Sequence, residues 1–64
     1  MKMWYTHFYY VDGRVEKGDG LSDYWGYVQA IEKTRDSLIR LFPDLTKITL
    51  TDNEGTEWYS IKLR

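Results

Sequence analysis

Tyr5, His7 and Tyr9 stand two residues apart in Met3–Val11, a run in which six of nine residues carry an aromatic or imidazole ring. Side chains of a β-strand alternate between faces, so these three point one way while Trp4, Phe8 and Tyr10 point the other. An imidazole titrates near neutrality, and tyrosine hydroxyls both donate and accept hydrogen bonds. Catalysis needs more: a nucleophile and an orienting group around the histidine. Ser22, Ser37 and Ser60 are the serines, and none lies in a Gly-x-Ser-x-Gly turn. Asp12, Glu16, Asp19 and Asp23 lack the spacing of a calcium loop, and Arg14 and Lys17 interrupt them. Gly18-Asp19-Gly20 lacks the lysine of a phosphate-binding loop, and Asp19 and Asp23 would repel a phosphate. The expectation is therefore no catalytic residue, no metal, no cofactor and no enzyme. Tyrosine and tryptophan are the residues most enriched in interface hot spots, so the rings point to recognition.

Composition narrows the field further. With 64 residues, the chain forms one domain, 1–64, near the lower limit for an independent core. It has no cysteine and one histidine, which excludes disulfides, thiolate sites and His-rich zinc sites. Aromatic content is 17%, charged content 30%, and proline occurs once, a globular rather than a disordered composition. Nine basic against ten acidic residues argue against a nucleic-acid partner, which selects for a basic excess. No stretch is long and apolar enough to span a membrane, and the N-terminal residues do not read as a signal peptide. The expected location is cytoplasmic.

The elements that position the rings follow from periodicity. Asp12-Gly13 predicts a two-residue type I′ hairpin. That turn pairs Tyr10 with Val15, Phe8 with Lys17 and Trp4 with Leu21. Val15 and Leu21 then join Trp4, Phe8 and Tyr10 on the core face, with Lys17 as the exception. Arg14 and Glu16 face outward. Lys17-Gly18-Asp19-Gly20 reads as a bend or bulge. Ser22 is the expected N-cap of a helix from Asp23 to Leu41. Its stripe is Tyr24, Val28, Ile31, Arg35, Leu38 and Phe42. Three rings, Tyr24, Trp25 and Tyr27, open it, and Trp25 or Tyr27 must stay partly exposed. Pro43 stops it. A third strand, Thr46 to Thr51, turns through Asp52-Asn53-Glu54-Gly55 into a fourth. Its register pairs Leu50 with Glu57 and Ile48 with Tyr59, sending Trp58, Ser60 and Lys62 outward.

The expected fold is α+β: ββαββ, a four-stranded mixed sheet of order 2-1-4-3 with the helix across one face. In element order and in its two glycine-bearing turns, Asp12-Gly13 and Asp52 to Gly55, the chain resembles the β-grasp domains of streptococcal protein G and protein L. A right-handed crossover from the second strand to the third gives the 2-1-4-3 strand order, and the resemblance implies a binding role. That order sets Tyr5, His7 and Tyr9 beside Trp58 and Lys62 on the side the helix leaves uncovered. These five residues are the expected partner-binding site. The expected function is a small protein-binding module, docking a protein partner or a second copy of itself, in a build shared with small phage-encoded inhibitors of larger proteins. The alternative is a single-stranded nucleic-acid-binding domain that stacks bases on the sheet rings.

Overall fold

The computed structural model describes residues 2–64. Its elements are β1 (Trp4–Tyr10), β2 (Val15–Leu21), α1 (Tyr24–Leu41), β3 (Leu45–Asp52) and β4 (Glu57–Lys62). They form an α+β fold with a single sheet in which every neighbouring pair is antiparallel. The strand order is β2-β1-β3-β4, which corrects the expected 2-1-4-3 mixed sheet. The first and last strands are not neighbours, and the β-grasp arrangement does not hold. β2 and β3 each run antiparallel to β1, hence parallel to each other with β1 between them. Strand chemistry explains the order. Beyond Lys47, β3 alternates Ile48 and Leu50 with the short, β-branched Thr49 and Thr51, which suits a strand paired on both sides. β4 carries Glu57 and Lys62, charges that guard an edge.

Helix α1 packs on one face of the sheet. Ile31, Leu45, Ile48 and Leu63 form the buried cluster, and Phe8, Tyr10, Tyr27, Leu38, Ile39, Tyr59 and Ile61 pack around it. The assignment of Phe8, Tyr10, Ile48, Tyr59, Ile61 and Leu63 to this side agrees with the alternation pattern. The N-cap is Asp23 rather than Ser22: its carboxylate accepts from the Gly26 N–H at 3.0 Å. At the other end the Phe42 N–H donates to the Leu38 carbonyl before Pro43. The Arg64 guanidinium then gathers three carbonyls, that of Leu45 at the start of β3 and those of Ile39 and Phe42 at the helix C-terminus. A cation there also complements the helix dipole.

Both hairpins use the same three-residue loop. Tyr10 and Asp52 donate to the carbonyls of Arg14 and Thr56, while Gly13 and Gly55 donate back to the carbonyls of Tyr10 and Asp52. Gly13 has φ 88° and Gly55 φ 85°, and no other described residue has positive φ. Asp12 therefore cannot belong to a type I′ turn, which needs positive φ at both central positions; the loop is a type I turn closed by a left-handed glycine. The extra residue moves the near half of the β1–β2 ladder by one. Tyr9 pairs with Val15, Phe8 with Glu16 and His7 with Lys17, in place of the expected pairs. A bulge between Tyr5 and His7 restores the far end, where Trp4 pairs with Leu21 as expected. Gly18 at that bulge lies against Thr6 and Phe8, where a Cβ would overlap Thr6 Oγ1. The glycine pair thus marks the bulge the sequence suggested.

Candidate functional site

Loop length and two bulges decide which side chains meet. Near the turn, the extra loop residue puts Lys17 on the uncovered face and Glu16 on the helix side, reversing both expectations, and the first bulge, at Gly18, ends that shift. The second lies between Leu50–Tyr59 and Thr51–Glu57 in the β3–β4 ladder. It rotates Trp58 out of the outer face, so that Trp58 and Tyr59 both serve the helix side. Of the five expected site residues, Tyr5, His7 and Tyr9 share the uncovered face. Lys62 lies on it too, across β3, paired with Lys47. Trp58 does not join them.

The uncovered face is dressed by its own cations. Lys17 Nζ lies 4.6 Å from the centre of the Tyr5 ring, and Lys47 Nζ lies 4.5 Å from that of Tyr9. Between them, His7 Nε2 and Thr51 Oγ1 share a hydrogen bond at 3.1 Å. Tyr5, His7 and Tyr9 are each half-buried. Lysine stems thus cover part of the ring surplus that a single helix leaves over. Tyr5, His7, Lys17 and Thr51 line one side of a shallow depression of ≈ 330 Å³, with the β3–β4 turn on the other. The hydrogen bond His7 makes is to a threonine hydroxyl rather than to a serine or a carboxylate. Among the described residues, no group of three or more His, Cys, Asp or Glu side chains is placed to hold a metal ion.

Trp58 belongs to a second constellation, at the end of the sheet beside the start of α1. Because Asp23 caps the helix, Tyr24 is its first residue and its ring drops onto the sheet end. Trp4 lies 5.4 Å from Tyr24 and 5.4 Å edge-on from Trp58; Tyr24 lies 5.7 Å from Trp58. Tyr24 also donates its hydroxyl to the Trp58 carbonyl at 3.1 Å. One residue on, Trp25 is rotated about 100° around the helix axis and points outward, touching only the Tyr24 edge at 5.3 Å among these rings. Trp25 is 70% exposed and Trp58 45%. The ambiguity between Trp25 and Tyr27 is resolved: Tyr27 packs on the core and Trp25 does not.

Asp52 fixes this end. Its Oδ2 accepts from the Trp58 indole N–H at 2.9 Å, and its Oδ1 accepts from the N–H groups of Glu54 and Thr56 at 2.9 and 3.0 Å. Donation from the Trp58 indole, reinforced by the two backbone N–H groups and the nearby Lys2 charge, holds the Asp52 carboxyl below its ordinary range. Lys2 Nζ also sits 4.5 Å from the Trp58 ring centre. The sequence showed Asp52 only as a turn residue, and nothing in it marked the tie to an indole six residues on. Trp4 Nε1 is buried with no partner among the described residues. On Tyr59, burial and the neighbouring Glu32 carboxylate, which accepts from its hydroxyl at 2.9 Å, push the phenol up to about 12.

No protein-family model, no curated protein and no solved structure matches the chain. No helix among the described residues is long and apolar enough to cross a membrane.

Proposed function

We propose that this domain is a protein-binding module whose contact surface is the aromatic end, centred on Trp25 and Trp58 and backed by Trp4 and Tyr24. The observation that carries this reading is the exposure of two indoles on a rigid platform. Trp58 is held by Asp52 and by two ring neighbours, so ordering it costs a partner little. An aromatic side chain buries roughly 150–250 Å². At their fractional exposures, the two indoles leave about one such ring's area in water. Covering it is worth roughly 4–6 kcal/mol at about 25 cal/mol per Å², before the costs of association. That is the scale of a hot spot.

The domain should dock a larger protein or a second copy of itself, and a build similar to that of small phage-encoded inhibitors favours the first. The test compares the immobilised domain with its Trp25→Ser variant and with Lys33→Ser on the solvated side of α1, using sedimentation for self-association and quantitative capture from extract. Trp25→Ser should fold normally and lose the contact, while Lys33→Ser retains it. Equal behaviour of all three proteins would refute the reading.

A further inference from the structure

The uncovered sheet face is a different surface, and we propose that it binds single-stranded nucleic acid. The inference stands apart from the aromatic end and survives or fails without it. Its ladder positions are Tyr5, His7 and Tyr9 on β1; Val15, Lys17 and Gly20 on β2; Lys47, Thr49 and Thr51 on β3; and Glu57, Ser60 and Lys62 on β4. Three lysines thus face one glutamate here, which leaves six basic against nine acidic residues for the rest of the chain. The near-neutral total conceals a basic face. Asp52 lines the rim of the depression, yet its carboxylate is turned to the Trp58 indole and two backbone N–H groups.

The geometry favours a polymer with alternating phosphates and flat bases. Tyr5, His7 and Tyr9 repeat every second residue, so their rings are spaced about 7 Å apart. Lysines flank this row on both sides, Lys17 from β2 and Lys47 and Lys62 from β3 and β4. Each tyrosine ring already holds a lysine ammonium over it. An exposed cation–π contact is weaker than a base stacked on an aromatic ring. A phosphate therefore draws the ammonium aside, and a base takes its place on the ring. Thr51 and the exposed Ser60 add hydroxyls to this face. An acidic peptide would satisfy the lysines but would offer nothing flat to the rings.

Fluorescence anisotropy with labelled oligo-dT and oligo-rU of about 12 nucleotides, a length within the usual single-strand site size, tests this. Three neutralised phosphates give a salt slope near −2, so affinity should fall about 20-fold between about 50 and about 200 mM salt. Lys62→Gln, at an exposed position, should flatten the slope by about 0.7. Tyr9→Leu keeps the bulk of the half-buried ring without its π-face; it should weaken binding at least about 5-fold and leave the slope unchanged. Trp25→Ser should change nothing. Absence of binding at low salt overturns the proposal. So does equal competition by poly-glutamate, indifference to Tyr9→Leu, or a loss with Trp25→Ser that matches the loss with Tyr9→Leu.

Discussion

Replacing Gly18 with alanine tests the register on which both surfaces depend. At the β1–β2 bulge a Cβ on Gly18 would overlap Thr6 Oγ1 and lie 3.1 Å from Phe8 Cε2. Thr6 is buried, so its hydroxyl has little room to give way. Overpacking of this kind costs about 1–3 kcal/mol. The lower entropy of an unfolded alanine returns about 0.4–1 kcal/mol. The net expectation is a loss of about 1–2 kcal/mol, or about 4–16 °C in melting temperature for a domain of this size. The decisive control is Thr6→Ala, which removes the overlapping oxygen. In that background Gly18→Ala should cost nothing or stabilise slightly, giving a coupling of about 1–2 kcal/mol in a double-mutant cycle. Urea denaturation of the four proteins supplies the data. In the unbulged register of a type I′ turn, Gly18 would stand opposite His7 on the outer face and never meet Thr6. Additive costs would therefore refute the bulge, and with it the placement of Lys17.

Three further outcomes follow from single side chains. Tyr59 titrates near 12 when folded and near 10 when unfolded. Its neutral form is the stabilised one, so the contribution is complete below about pH 10 and fades as pH rises toward 12. Tyr59→Phe should remove that alkaline loss in urea titrations. The Asp52 carboxyl is held low, so its contribution is present above the unfolded carboxylate range and is lost as pH falls through the lower folded value. Acid titration should shift Trp58 fluorescence as the indole bond breaks, and Asp52→Ala should show the shifted emission already at neutral pH. Arg64→Ala strips the carbonyls of Ile39 and Phe42 at the helix C-terminus, and of Leu45 on β3, of a charged donor. It should lower stability by about 1–2 kcal/mol in thermal melts, given that the guanidinium is exposed.

The helix and the inward positions of β1, β3 and β4 were legible because local periodicity and burial agree there. Val28 and Ile31 fall on the expected stripe and are the buried residues of α1. Alternation failed where loop length differed by one residue. Both turns are three-residue loops where two and four residues were expected, so Lys17 and Trp58 each stand one residue out of the counted register, and a one-residue slip exchanges faces. The Gly18 bulge had a visible marker in its paired glycines. The bulge at Trp58 had none, since Glu57-Trp58-Tyr59 contains no glycine or proline. The strand order had a usable sign in the short threonines of β3 against the charges of β4, which distinguish a central strand from an edge. Pairing of the first and last strands, expected from a right-handed crossover between the second and third, obscured it. The expected grouping divided accordingly: Tyr5, His7 and Tyr9 stay on the open face, whereas Trp58 packs with Trp4 and Tyr24 at the sheet end.

The most direct measurement places a photo-reactive benzoyl-phenylalanine at position 25, or at position 33 as a control, and irradiates living cells that produce the protein. The aromatic end as a docking surface requires a discrete cross-linked protein species from position 25 and none from position 33. No cross-link from position 25, or the same species from both positions, would contradict it.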